Sequence, residues 1–106
     1  RRRVAGGGLL GLLALGRRAG QLDLGVDAVR AGLQAGRVRC VVLAEDASPR
    51  ALEKVMRLAN GIRVPLVAGP DAESLGARLG RPPLMAVGVK DRALADGIIR
   101  QASPWA

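Results

Sequence analysis

The sequence predicts an α/β sandwich whose sheet is covered by helices on both faces. Short runs of β-branched, mostly apolar residues alternate along the chain with segments whose apolar residues recur at helical spacing. The 106 residues suffice for one domain, and 49% of them are hydrophobic. Because aromatic residues make up only 1% of the chain, the core must be aliphatic.

The first half of the chain is predicted to contain two helices and two strands. A helix over residues 8–19 ends at Gly20, and the alternating stretch 21–24 is typical of a brief strand. Residues 25–35 carry apolar side chains at positions i, i+3 and i+7, which predicts a second helix. Residues 38–44 are mostly β-branched and apolar, as in a strand covered on both faces.

The middle of the chain starts with a clear helix signal. Ser48 is predicted as the N-cap and Pro49 as the first residue of a helix that Gly61 stops. The strand predicted over residues 64–68 contains Pro65, which has no N–H to donate and therefore favours the edge of the sheet.

The remainder of the chain predicts a short helix, a strand and a last helix. Asp71 caps a helix that runs through Leu79, residues 84–89 form a strand, and Asp91 caps the final helix. The residues of this helix expected to face the core are Leu94, Ala95, Ile98 and Ile99.

The chain is predicted to be one domain over residues 9–102, with a flexible basic segment at 1–8 and a C-terminal tail at 103–106. Three leading arginines followed by an apolar run imitate a signal peptide. However, Arg17 and Arg18 follow that run directly, and the run is too short to cross a bilayer. We therefore expect no membrane contact and a cytoplasmic location, where the lone cysteine stays reduced.

Several classes of chemistry lack the residues they need. Without His and with one Cys, the chain has no disulfide framework, zinc site or His-activated nucleophile, so we expect no metal or cofactor. Gly6, Gly8 and Gly11 match a dinucleotide fingerprint, but no strand precedes them. Glu45 and Asp46 follow the strongest strand as a candidate acid–base pair, or as caps of a helix start. We predict that the protein is not an enzyme.

The charge distribution predicts a polyanionic partner. Lys and Arg number 17 against 9 Asp and Glu, a formal net charge of +8. The first 40 residues hold eight arginines against two aspartates, and so carry +6 of that charge. Either nucleic acid or an acidic membrane surface suits such a balance, and the planar guanidinium favours phosphates and base edges.

A basic stripe on the third predicted helix has two interpretations. Arg50, Lys54 and Arg57 recur at i, i+4 and i+7 on one face, which suits the tracking of phosphates. Glu53 lies within the same stretch, and solvated charged faces are common on helices, which favours the plainer interpretation.

The start of the second predicted helix is the main candidate site. Its free amides and positive dipole end can hold a phosphate or a base edge, and Asp27 can accept from guanine or merely cap the helix. The loop before the last strand contains two prolines, so it can press on an unstacked base at low ordering cost. The predicted RNA-binding residues are Arg17, Arg18, Gly25, Val26, Asp27, Arg30, Arg37, Arg81 and Pro82.

Three stretches of the sequence together resemble one family. They are LLALGRRAG at 12–20, GVDAVRAGLQAG at 25–36 with VRCVVLAEDASP after it, and LGARLGRPPLMAVGV at 75–89. The chain is similar to the small ribosomal proteins of the L-seven-Ae and L-thirty-e type, which bind kink-turn RNA, and most similar to their bacterial, YlxQ-like branch. The resemblance implies a three-layer α/β/α sandwich around a mixed sheet of about four strands. It also suits a partner such as ribosomal RNA and a fusion to an upstream basic domain.

The family motif G-x-N-E-x-x-K is only partly present here. Gly25 matches its glycine and Asp27 stands in place of the Asn, but Ala28 replaces the Glu and Ala31 replaces the Lys. Arg81 and Pro82 fall on the loop that touches the flipped-out nucleotide in the family. Arg30 precedes Ala31 and is expected to substitute in part for the missing Lys.

Two other functions compete with RNA binding. The same fold can serve as a protein-interaction module that has lost its RNA contacts, which the missing Glu and Lys favour. Alternatively, the domain can present RNA to a fused catalytic domain, for which this chain has no room.

Overall fold

The computed structural model describes residues 4–105, with side chains from Gly8 onward, and the elements alternate along the chain as predicted. The first three arginines of the predicted flexible segment lie outside the described residues. The elements in chain order are α1 (Val4–Arg18), β1 (Leu22–Leu24), α2 (Val26–Gln34), β2 (Cys40–Leu43), α3 (Pro49–Gly61), β3 (Leu66–Ala68), α4 (Ala72–Arg78), β4 (Ala86–Val89) and α5 (Arg92–Gln101).

The four strands form one mixed sheet in the order β1-β4-β2-β3. Strand β4 is antiparallel to both of its neighbours, whereas β2 and β3 run parallel, with Val42 opposite Val87 on one side and Val67 on the other. The edge position predicted from Pro65 is confirmed, because β3 lies at the edge and begins directly after that proline.

Helices cover both faces of the sheet, so the predicted three-layer sandwich is confirmed. Alternate residues of the central strands point to opposite faces: Cys40 and Val42 pack towards one layer, and Val41 and Leu43 towards the other. All four are fully buried. The first layer contains Leu9, Leu13, Leu75, Leu79, Ala95 and Ile98 from α1, the end of α4, and α5, and the second contains Val29, Leu33, Val55 and Ala59 from α2 and α3.

The residues after α5 lie along the outer edge of the sheet. The backbone N–H of Ala68 donates to Ser103, at 2.9 Å, and that of Trp105 donates to Leu66, also at 2.9 Å. Residues 103–105, predicted as a tail, therefore pair with β3 and cover an edge that would otherwise expose unpaired backbone groups. Among residues 4–105, no helix has the length and apolar character needed to cross a membrane.

The predicted N-caps are confirmed at three helices. The side chains of Ser48, Asp71 and Asp91 accept hydrogen bonds from the backbone amides of Ala51, Ser74 and Leu94. Each of these side chains satisfies one amide that the first turn of a helix leaves without an intrahelical acceptor.

Helix α3 extends one residue beyond its predicted end. It includes Gly61, and its closing bonds run from the N–H of Val64 to the Ala59 carbonyl and from the N–H of Arg63 to the Asn60 carbonyl. This closure packs Val64 against the α2–α3 layer. As a result, Arg63 adopts a left-handed backbone conformation, with φ of 60°. The equivalent position after α1, α2 and α4 is a glycine.

The predicted inner face of α5 is also too wide. Ala95 and Ile98 are buried and Leu94 is partly buried, but Ile99 is exposed. Helical spacing places Ile99 at the margin of the apolar stripe, where the side chain is no longer covered.

Replacing Arg63 with glycine should stabilise the protein. Left-handed backbone costs a residue with a side chain about 1–2 kcal/mol, and the greater chain entropy of glycine offsets part of that cost. We expect Arg63→Gly to raise the free energy of unfolding by about 0.5–1 kcal/mol in urea titrations. Arg63→Ala removes the same charge and keeps the strain, so an equal gain in that control would contradict this explanation.

The thiol of Cys40 should be protected until the protein unfolds. Burial, with a smaller contribution from the Asp96 carboxylate, raises the pKa of Cys40 to about 12. Because the unfolded thiol ionises first, stability that is complete below about pH 8.5 should fall as the pH rises towards 12. Iodoacetamide should therefore modify the native protein at the unfolding rate, and a Cys40→Val variant should lose this part of the alkaline destabilisation. Equal alkylation rates in buffer and in denaturant would disprove it.

Candidate nucleic-acid interface

The segments that the sequence singled out meet at one end of the sheet, where β1 and β2 end and β4 begins. The N–H of Gly25 donates to the Ala86 carbonyl at 2.9 Å, and the N–H of Ala44 donates to the Met85 carbonyl, also at 2.9 Å. These two bonds tie the end of β1 and the end of β2 to the start of β4. Helices α2 and α3 both begin at this end of the sheet, so their positive dipole ends lie on the same side of the molecule.

The first turn of α2 is open to a ligand. Its N-cap, Gly25, has φ of 93° and ψ of 162°, a conformation that is essentially restricted to glycine, and no side chain caps the helix. The amides of Val26, Asp27 and Ala28 therefore lack the protection that Ser48, Asp71 and Asp91 give to α3–α5. The Asp27 carboxylate is fully exposed and caps no amide, so the simple capping interpretation is wrong.

The loop before β4 lies against the start of α2. It begins at Gly80, with φ of 71°, where the N–H of Arg81 donates to the Gly76 carbonyl at 2.8 Å. It ends at Leu84, whose methyl group is 3.9 Å from the position that a Cβ would take at Gly25. Between these points Arg81, Pro82 and Pro83 are exposed. The structure therefore brings Arg81 and Pro82 to the same end of the sheet as Gly25, Val26 and Asp27.

Arg17 and Arg18 end α1 close to this loop. The Arg17 Nε donates to the carbonyl of Leu79 at 3.2 Å, at the C-terminal end of α4, where a cation is favourable. Arg17 thus secures the segment from which the loop departs. Arg18 is exposed at the adjacent position and stays available to a ligand.

Arg30 lies on the side of α2 that borders α3 and reaches back to the first turn of its own helix. One of its terminal nitrogens lies 3.9 Å from Asp27, and its Nε is buried with no hydrogen-bond partner among the described residues. It borders a cavity of about 250 Å³ that Lys54 and Arg57 also line. Arg57 pairs with Glu53 at 3.4 Å, which fits the solvated-face interpretation of that basic stripe.

Arg37 follows the C-terminal end of α2 and therefore does not lie at the end of the sheet where α2 begins. Its Nε is 3.2 Å from Asp23, which is only 8% exposed, and the Lys90 ammonium lies 4.0 Å from the same carboxylate. A buried carboxylate needs such partners, since its desolvation is otherwise costly. The sequence showed Arg37 only as one more positive charge, because its partner lies on another element.

Met85 is not among the predicted site residues. This side chain is exposed in front of β4, and the Ser48 hydroxyl lies 3.8 Å from its sulfur. Residue 85 lies in the apolar run 84–89, which was predicted as a strand without a statement of which side chains are exposed. An exposed thioether between two helix starts offers a polarisable apolar contact to a flat ring.

Asp46 has a structural role. Its Oδ1 accepts from the Ala72 amide at 2.8 Å, so this carboxylate satisfies an amide at the start of α4 and not at the start of α3, the helix that follows it. Glu45, next to it, is exposed. Among residues 4–105, no three side chains with metal-binding groups come together.

Comparison with known proteins gives consistent matches. The model of the ribosomal protein L7Ae/L30e/S12e/Gadd45 family matches residues 9–97. The RNA-binding protein YlxQ of Bacillus subtilis (strain 168) is 32% identical over 88 residues, which cover 83% of this chain and 88% of that protein.

Solved structures share the fold. A protein of unknown function from Bacillus halodurans C superposes with a TM-score of 0.83 at 28% identity, over 88% of this chain and 94% of its own. The Giardia lamblia 15.5kD RNA binding protein gives a TM-score of 0.71 at 21% identity, over 88% and 80% of the two chains. The second likeness is one of fold alone.

Loss of Arg37 should weaken folding. Arg37→Leu leaves Asp23 with only the more distant Lys90, and because Arg37 is itself 44% exposed, we expect a loss of about 1–2 kcal/mol rather than the full cost of a buried unpaired charge. Urea unfolding measures this loss. Arg39→Leu, a change at an exposed position two residues away, should shift stability by less than about 0.5 kcal/mol. Similar losses in both variants would refute the structural role of Arg37.

Proposed function

We propose, from the premise that this chain belongs to the ribosomal protein L7Ae/L30e/S12e/Gadd45 family, that it is a non-catalytic protein that binds structured RNA. The proposed surface, which we name the α2-start face, consists of residues 25–28, the loop 80–83 and Met85. The observation that carries this proposal is the uncapped first turn of α2 beside an exposed, cationic loop.

The chemistry of this face suits an RNA with an unstacked base. Backbone amides of the first α2 turn can donate to a phosphate or a base edge, and Asp27 can accept from guanine N1–H and N2–H₂. The Arg81 guanidinium can grip a phosphate with two hydrogen bonds. Pro82 and Met85 would supply the apolar contact that aromatic side chains supply in many RNA-binding domains.

The two alanines in the family motif argue for altered specificity. Ala28 and Ala31 present no donor or acceptor to a base, and each missing contact is worth about 1–3 kcal/mol by analogy with base contacts in DNA. Arg30, which is expected to substitute in part for the Lys, lies 3.9 Å from Asp27 and also borders α3, so it supplies only part of the missing contact. We expect a structured RNA, ribosomal RNA first, to bind better than a standard kink-turn.

The same two alanines favour a second candidate function, a protein-interaction module that has lost RNA binding. It predicts no complex with any RNA. Association with the ribosome, fusion to an upstream basic domain and a cytoplasmic location stay predictions.

Removal of the Arg81 charge should weaken RNA binding. We expect Arg81→Ala to raise the Kd for ribosomal RNA about three- to tenfold, and to reduce the slope of log K against log salt by about 0.7–0.9, the value of one phosphate contact. Gel shifts at several salt concentrations with ribosomal RNA, a kink-turn and a plain duplex measure both quantities. Arg30→Ala, on the flank of α2, should have a smaller effect.

Arg100→Ala is the matched control, because this exposed arginine ends α5 beside β3, at the sheet edge opposite β1. Its affinity and salt slope should equal those of the wild type. Equal effects of Arg81→Ala and Arg100→Ala would place the RNA elsewhere, and the absence of any shift would favour the protein-interaction module.

A further inference from the structure

We propose that the chain carries a second binding surface, a basic groove that takes an acidic, aliphatic segment of a partner protein. The groove is a cavity of about 290 Å³. The lining residues that we propose to use in binding are Arg39, Arg63 and Arg92, which we name the rim arginines, together with Ile62, Ile99 and Asp96.

The basic groove lies at the opposite end of β2 from the α2-start face. The N–H of Arg39 donates to the Val89 carbonyl at 2.7 Å, where β4 ends and β2 is about to begin. The four residues of β2 separate the two surfaces by about 13 Å of extended strand. An RNA at one end and a protein segment at the other can therefore be held at the same time.

The groove contains two exposed aliphatic side chains. Ile62 is 52% exposed and Ile99 is 37% exposed. Single exposed apolar residues are ordinary on protein surfaces, but two β-branched side chains that line one concavity offer a dry contact for another aliphatic group.

Two rim arginines occupy positions that local stability disfavours. Arg63 adopts a left-handed backbone that suits glycine better, with φ of 60°. Arg92 is in the first turn of α5, beside the positive end of the dipole, where a cation is unfavourable even though the N-cap, Asp91, is acidic. Such departures from local preference concentrate at functional sites, where a ligand supplies the compensation.

The charge of the groove selects the partner. Three arginines face one carboxylate, Asp96, among the described residues that line the cavity. Within residues 4–105, none of the three arginines forms an ion pair. Carboxylates of a partner would complete the rim while its aliphatic side chains cover Ile62 and Ile99. RNA phosphates would satisfy the rim but leave the two isoleucines in water.

The test uses two short peptides and the ¹⁵N-labelled full chain. The acidic peptide alternates Glu with Leu, and the control peptide carries Lys in place of Glu. We expect NMR amide shifts on adding the acidic peptide at residues 38–40, 62–65 and 92–99, and none with the control. An acidic peptide that shifts no amides, or only those of the α2-start face, would overturn the proposal.

Variants distinguish a specific contribution of the groove to peptide binding from the effect of net charge. Arg39→Glu combined with Arg92→Glu should weaken the acidic peptide at least tenfold, and Ile62→Ser about threefold. Asp96→Asn removes the like charge and should strengthen binding about twofold. Arg78→Glu combined with Arg100→Glu makes the same change in net charge on α4 and α5, outside the groove. Melting temperatures confirm that each variant is folded.

The outcomes also distinguish this proposal from RNA binding. If both double variants lose the peptide equally, only net charge matters and the groove has no role. If Arg39→Glu with Arg92→Glu abolishes the ribosomal RNA complex while the control pair keeps it, the groove is part of an RNA surface and the protein partner is wrong. Failure of every RNA to bind leaves the peptide result unaffected.

Discussion

The hydrogen bond from the Gly25 N–H to the Ala86 carbonyl is the constraint on which the α2-start face depends. It extends the pairing of β1 with β4 by one residue and then forces the chain to turn at once into α2. Only glycine tolerates the backbone conformation that this turn requires. Because α2 begins immediately after the bond, its free amides lie beside the loop that precedes β4, and a looser connection would separate them.

The same packing explains how far charge can be predicted from the sequence. The N-caps were predictable because Ser48, Asp71 and Asp91 act on amides three residues away. The role of Arg37 was not, because it depends on Asp23, a residue of β1 that the approach of α2 buries. Counting charges along the first 40 residues predicts a cationic protein, but it does not separate arginines that bind a ligand from one that neutralises the core.

The helix ends show a second limit of the same kind. A left-handed glycine follows α1, α2 and α4, two residues after the last helical residue. Helix α3 ends at Gly61, but the left-handed residue after it is Arg63, at the turn that packs Val64 on the α2–α3 layer. Exposure of Ile62, Ile99 and Met85 follows from tertiary packing, and helical periodicity alone therefore assigned Ile99 to the core. Two of these three side chains lie in the basic groove, and the third lies on the α2-start face.

The chemical groups of the α2-start face differ in whether they would contribute affinity or base selectivity. Backbone amides and a dipole attract any phosphate, so they give affinity without selecting a sequence. With alanine at positions 28 and 31, the proposed function leaves base selection to Asp27 and to the shape of the proline loop. A carboxylate selects for guanine and against a nearby phosphate, and the prolines limit the loop to few conformations. In this proposal, specificity would rest on one exposed carboxylate next to Gly25 and on a preordered loop, both of which adjoin the start of β4.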